Sequence, residues 1–341
     1  MHILSIPDMQ ALIRHVAIRH RDPVMVWGPF GAGKSEGIAQ LAKEEDAILC
    51  DIRLSQYDSV DLRGFPGVDE MTGQTVWSPP STLPFEDNPN FPKDRLIILF
   101  LDEINAAAPA VSAVAYQLVN DRRVGEHKLM PNVVIVAAGN REQDKGITNR
   151  QPAPLSNRFT HCEVAADVEA WCNWAQSEGL PPIGVAFMNF RKPLLHTFDP
   201  AKPEKCVATP RTWAKALDYY ADVDMPESVK QAAMAGAIGT GPSAEFWSFA
   251  DVWSKMIPIK DILKDPEGEP IPDEASMAYA VAVNVSGAMT ADTCEALSIY
   301  LHRMSAEYVV LAWKLAIQRD DSLFGTKQFN SFASKYRDVF R

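Results

Sequence analysis

The sequence predicts an α/β fold in its first half, a parallel sheet sandwiched by helices, followed by a second half that is wholly α-helical. Three observations carry this. Short runs that are apolar at every position, 24–27, 96–101 and 133–138, alternate with helical patterns, the signature of strands covered on both faces. From about residue 167 the β-branched runs give way to helical patterns rich in Ala, Trp and Met. A glycine-rich octapeptide also stands between the first of these strands and the helix after it.

Taken in order, Met9, Leu12, Ile13, Val16 and Ala17 recur at helical spacing and predict an amphipathic helix over 8–20. Val24-Met25-Val26-Trp27 reads as a buried strand feeding a Gly-Pro-Phe-Gly turn, with a helix from Lys34 to about Glu45 and a second strand over 47–52. Between 61 and 77, turn residues at 69–73 lie between strand-like flanks and predict a hairpin. The run Leu-Ile-Ile-Leu-Phe-Leu at 96–101 is the strongest strand signal, followed by a helix over 108–120, a second hairpin over 123–128 and a strand over 133–138. Helices are then expected over 168–177 and 211–220. The charged, proline-rich stretch 260–274 reads as an exposed connection before a last helical block over 276–318.

Composition narrows the function classes. A formal net charge of −11, from 44 acidic against 33 basic residues, makes general attraction to nucleic acid or anionic membrane an unexpected binding force. The five cysteines are scattered and form no CxxC pair, which argues against disulfides and zinc. His161, His196 and His302 share no metal-ligand spacing and read as ordinary side chains. Trp174, Trp213, Trp247 and Trp253 read as core packing. With neither a leader-like apolar segment nor a span-length apolar run, a soluble cytoplasmic protein is expected.

The octapeptide Gly28-Pro-Phe-Gly31-Ala32-Gly33-Lys34-Ser35 fits G-x-x-x-x-G-K-[ST], the P-loop, in its required place between strand and helix. Gly28, Gly31, Ala32, Gly33, Lys34, Ser35 and Glu36 form the candidate nucleotide-binding set. Small residues let backbone N–H groups converge on a β-phosphate, and the following helix adds its positive dipole end. Lys34 can reach the β- and γ-phosphates, and the Ser35 hydroxyl is a ligand for Mg2+. Asp102 and Glu103 end the apolar run 96–101 as a Walker B pair. Asp102 is placed to hold the metal, and Glu103 to polarise an attacking water. Asn140 closes the strand 133–138 at the edge where open parallel sheets bind ligands. The cofactors expected are therefore ATP and Mg2+.

These motifs, in order with Leu155-Ser-Asn-Arg158-Phe and Thr209-Pro-Arg211, resemble an AAA+ ATPase, and more narrowly the MoxR-like group, over most of residues 20–220. The resemblance implies a nucleotide-binding core over 1–165, a helical lid over 166–225 and a helical C-terminal extension over 226–341. It implies Asn140 as sensor 1, Arg158 as the arginine finger offered to a neighbouring subunit, and Arg211 as sensor 2 of the lid. Arg150 competes with Arg158 for the finger role. A finger given in trans implies a homo-oligomeric ring, by family analogy a hexamer. The two hairpins are then expected to face the pore or top of the ring and touch what is remodelled.

On this reading the chain is a chaperone-like remodeller of a protein client, such as a partner carrying a von Willebrand factor A domain. A nucleic-acid motor is the alternative, for which Arg122-Arg123 and His127-Lys128 are the candidate phosphate contacts. A GTPase would need an N-K-x-D motif, which the sequence lacks, and a P-loop kinase would need neither Glu103 nor a sensor asparagine.

Overall fold

A computed structural model of the chain describes residues 2–141, 144, 156–202 and 204–336. The first elements are β1 (Ile3–Leu4) and α1 (Ile6–Ile13), which continues as a π-helical stretch, Arg14–Arg19. Ser5 caps α1 by accepting a hydrogen bond from the Asp8 N–H. There follow β2 (Val24–Trp27), α2 (Lys34–Glu44), β3 (Ile48–Arg53), the short α3 (Ser59–Arg63) and the hairpin β4 (Phe65–Val68) and β5 (Thr75–Ser78). Next come β6 (Ile97–Asp102), α4 (Pro109–Asp121), the hairpin β7 (Arg123–Val124) and β8 (His127–Lys128), β9 (Val133–Gly139) and β10 (Thr160–Val164).

Six strands form one parallel sheet in the order β1-β10-β2-β9-β6-β3. Alternate residues feed two cores, as the period of two requires. Val26, Phe100, Val134 and Val136 pack with Met9 and Ile13 of α1 and Ile38 and Leu41 of α2. Met25, Leu99, Leu101, Ile135 and Ala137 pack with Val111, Ala115 and Leu118 of α4. This explains why the strands read as continuous apolar runs: both faces are covered, each buried Leu, Ile or Phe contributing about 1.5–3 kcal/mol. It is the α/β P-loop fold with helices on both faces of the sheet that the sequence predicts.

The second half is helical: α5 (Val168–Ser177), α6 (Pro182–Phe190), α7 (Pro210–Ala221), α8 (Glu227–Ile238), α9 (Thr240–Ser254), α10 (Ile259–Lys264), α11 (Ala275–Ala288), α12 (Cys294–Leu301), α13 (Ala306–Arg319) and α14 (Lys327–Lys335). The chain divides into two compact units, one of Met1–Ala170, Phe198–Pro203 and Thr209–Arg211, the other of Trp171–Thr197, Glu204–Ala208 and Thr212–Arg341. Within the second, Phe187 packs against Trp213, Phe246 and Phe249, and a further core gathers Val281, Val285, Leu297, Tyr300, Trp313 and Phe332.

The structure departs from the sequence reading in two places. Residues 260–264 are not an open connection: they belong to α10, whose Ile262 is fully buried. Ile259, Ile262 and Leu263 lie on one helical face, a spacing that the surrounding charges mask. Residues 61–63, expected to flank the first hairpin as strand, close α3 instead, where Asp58 and Asp61 form a reciprocal capping box. Among the described residues, no helix is long and apolar enough to cross a membrane.

Candidate nucleotide-binding site

The site is built at the carboxyl edge of the sheet, where β2, β9 and β6 end side by side. After β2 the chain turns sharply through Gly31 (φ +72°) and Gly33 (φ +96°) into α2. Both angles lie in the left-handed region, which glycine enters without steric cost. Gly31 is doubly constrained, because a Cβ there would stand 2.6 Å from the Thr209 hydroxyl oxygen. Ala32 is buried, Glu36 is exposed in the first turn of α2, and Gly28 lies so close to Val164 of β10 that a Cβ would meet its carbonyl oxygen at 2.7 Å.

Lys34 is buried, and its ammonium donates to the Gly28 carbonyl at 2.7 Å, the Pro29 carbonyl at 2.9 Å and Asn140 Oδ1 at 3.2 Å. Burial pushes its pKa down to about 8 against the opposing pull of Asp102 and Asp144, with Arg211 and Arg141 adding to the fall. The next residue, Ser35, donates its hydroxyl to Asp102 Oδ2 at 2.9 Å. The P-loop, the end of β6 and the end of β9 are thus joined side chain to side chain. β9 lies between β2 and β6 in the sheet, which puts Asn140 between Lys34 and the acidic pair.

Asp102 is buried, and its Oδ1 accepts from the Glu103 N–H at 2.8 Å. Glu103 itself adopts φ 54°, ψ 34°, a left-handed conformation that costs a non-glycine residue about 1–3 kcal/mol and recurs where geometry serves function. Its carboxylate accepts a hydrogen bond from the Ser55 hydroxyl, just beyond β3. Asn105, in the turn after Glu103, donates to the Asn140 carbonyl at 2.7 Å. Asp51 on β3 has its carboxyl pushed upward by desolvation and by the charge of Asp102.

Beyond Asn140, Arg141 pairs with Asp144 at 2.9 and 3.1 Å and with Glu163 of β10 at 3.1 Å. Arg211, the second residue of α7, is exposed. Arg158 is exposed in the turn before β10 and unpaired among the described residues. Arg150 and Leu155 lie outside the described residues. The structure therefore brings Gly31, Gly33, Lys34, Ser35, Asp102, Glu103 and Asn140 into one site, with Arg211 near enough to act on Lys34, while no side-chain contact ties Arg158 to them.

Sequence reasoning missed Ser55, Asn105, the Arg141-Asp144-Glu163 group and the contact between Trp27 and His161. For the last, the indole N–H of Trp27 donates to His161 Nδ1 at 2.9 Å. None of these belongs to a motif, and apart from the local Arg141–Asp144 pair each depends on segments far apart in sequence being brought together.

No model of a known protein family matches the chain, and no curated protein matches it in sequence. Solved structures do resemble it. NtrX from Brucella abortus in complex with ATP is 13% identical, with 100% of this chain and 69% of that chain covered and a TM-score of 0.41. A RuvB variant from Thermotoga maritima is 16% identical, with 89% of each chain covered and a TM-score of 0.39. Identity this low concerns the fold alone; what the site can do follows from its own residues.

Proposed function

We propose that this chain is an AAA+ ATPase that binds ATP with Mg2+ and hydrolyses it within a homo-oligomeric ring. The observation that carries the proposal is the convergence of Lys34, Ser35, Asp102, Glu103 and Asn140 on one sheet edge, with Lys34 bonded to Asn140 and Ser35 to Asp102. Lys34 supplies a compact positive charge for the phosphates, which are better acceptors than the carbonyls it now engages. Ser35 and Asp102 offer only oxygen donors, side by side, which fits a hard cation that keeps most of its shell as water and phosphate. When bound, Mg2+ neutralises charge on the phosphate oxygens.

In hydrolysis the water oxygen attacks the γ-phosphorus, the bond to the bridging oxygen breaks, and ADP leaves with the electron pair. Glu103 orients the water and accepts its proton. The Asn140 amide, tied to Lys34 through its oxygen, holds the water and γ-phosphate in register. Arg211 acts from the start of α7 as the second sensor. Arg158, exposed and unpaired among the described residues, is the guanidinium given to a neighbouring subunit, where it neutralises charge on the transferred group.

The MoxR-like reading makes the ring, a hexamer, a remodeller of a protein client. The first hairpin supports a protein rather than a nucleic-acid partner, because Phe65, Val68, Met71, Val76 and Trp77 are all exposed on or beside its strands. Arg122, between α4 and the second hairpin, is spent on the Met130 and Val133 carbonyls, and Arg123 of that hairpin on the Gly125 carbonyl. A client with a von Willebrand factor A domain is the group's usual partner type.

The test is ATPase rate against protein concentration, with assembly mass followed in parallel for the parent chain and Arg158→Ala. Specific activity is expected to rise as oligomers form, and Arg158→Ala to assemble yet lose turnover by about 10³-fold or more. Activity that is independent of concentration in a monomer and survives Arg158→Ala would replace the ring with a self-contained P-loop enzyme. Stimulation by DNA or RNA, rather than by protein, would favour a nucleic-acid motor.

A further inference from the structure

The indole nitrogen of Trp27 can only donate, so His161 Nδ1, 2.9 Å away, must accept and carries no proton. On the other side of the ring, Nε2 lies 2.6 Å from the Ser156 carbonyl oxygen, which can only accept, so Nε2 carries the proton. The Ser156 hydroxyl stands 3.3 Å from the same nitrogen. One neutral tautomer of His161 therefore satisfies both partners at once. The Trp27 and His161 ring planes are nearly parallel, 6° apart, and Phe159 meets the histidine edge to face.

The positions of the two partners give this bridge its meaning. Trp27 is the last residue of β2, directly before the P-loop, and Ser156 lies two residues before Arg158. β10 is hydrogen-bonded to β2, with Glu163 opposite Trp27. His161 and Glu163 are two residues apart on β10 and so share a face, and Glu163 holds Arg141, the neighbour of Asn140. One face of β10 is in contact with the P-loop strand, the sensor asparagine's neighbour and the turn that carries Arg158.

We infer that His161 is a positioning residue that fixes the Arg158 turn to the P-loop strand of its own subunit, so that the arginine reaches the neighbouring site in a set orientation. This rests on the proposal that Arg158 acts in trans. His161 touches no reacting atom; its work is done on the turn. A cross-subunit guanidinium has value only when held to within a fraction of an ångström, and misplacement of about 1 Å costs roughly 100-fold in rate.

The experiment compares His161→Phe, which keeps a ring but loses both hydrogen bonds, with Trp27→Phe, which loses the indole N–H and part of the indole ring while His161 keeps its bond to Ser156. Each is assayed for MgATP binding, assembly and turnover, alone and mixed with Glu103→Gln protein. Both variants are expected to bind MgATP with unchanged affinity and to assemble, while kcat falls by roughly 10- to 100-fold for His161→Phe and less for Trp27→Phe. Mixing His161→Phe with Glu103→Gln protein should restore turnover, because sites then form with an intact Glu103 from one subunit and a correctly held Arg158 from the other.

Affinity falling in step with rate, absence of recovery on mixing, or unchanged kcat in both variants overturns the inference. Arg158→Ala mixed with Glu103→Gln protein is the control. If that pair recovers and the His161 pair does not, the bridge fails alone; if neither recovers, the trans reading fails and the bridge with it. Should His161→Phe not fold, Trp27→Phe with the same mixing assay decides.

Discussion

Two turns at the same sheet edge solve the same steric problem in opposite ways. The P-loop bends through Gly31 and Gly33 at φ +72° and +96°, where no side chain is needed and glycine adopts the angle freely. The turn after β6 bends through Glu103 at φ 54°, where a side chain is present and strained. The difference separates two kinds of function. On the proposed function, the loop works through its backbone N–H groups and can discard side chains, whereas the turn that delivers a carboxylate keeps one and bears the cost. The surrounding bonds hold Glu103 in place: its N–H to Asp102, its carboxylate to Ser55, and Asn105 beyond it to Asn140.

The comparison is broken most forcefully at the carboxylate. Glu103→Gln should lower kcat by about 10²–10⁴-fold, the worth of a positioned base, while leaving MgATP affinity within about threefold of the parent by equilibrium binding. Loss of binding together with rate would mean that the turn is structural in the way the P-loop is.

Smaller effects on stability separate the turns directly. Gly31→Ala meets both a left-handed φ and the Thr209 side chain, so thermal or urea unfolding should show a loss of more than about 2 kcal/mol. Glu103→Gly removes strain as well as the carboxylate, and its stability should stay within about 1 kcal/mol of the parent, although turnover is lost. A Glu103→Gly protein as damaged as Gly31→Ala would erase the distinction.

The mildest test is pH. Burial lowers Lys34 to about 8, and the phosphates of a bound nucleotide favour its charged form and raise it again. Binding therefore takes up a proton above pH 8, and affinity should weaken as pH rises through that value. The sign reverses for folding. Because the folded pKa lies below the ordinary lysine value of 10.5, Lys34 makes folding less favourable below about pH 8, and that penalty fades as pH climbs toward 10.5. Lys34→Ala removes both trends, which isothermal titration and urea unfolding across pH 7–9.5 would register.

What could be read in the sequence follows the same division. The P-loop, the Asp102-Glu103 pair and Asn140 are written in consecutive residues, each announced by an apolar run that ends at the sheet edge. The central strands were legible because burial on both faces leaves no polar alternation to confuse them. What stayed hidden depends on pairing between distant segments. Trp27 and His161 are 134 positions apart, and Ser55 and Glu103 48, so only strand order brings them together. Helix α10 was hidden for a different reason: its three apolar residues share a face in space while charged residues fill the intervening positions.

The place of β9 between β2 and β6 carries a mechanical consequence. Lys34, Asn140 and Asn105 form one run of contacts and Ser35 and Asp102 a second, and the footings of both are neighbouring strand ends, themselves locked by a parallel ladder packed on both sides. Such a framework has almost no give in shear, because sliding any strand would empty two cores at once. The sheet edge is a rigid footing for the site, and what freedom the site has lies in the turns and helices beyond it.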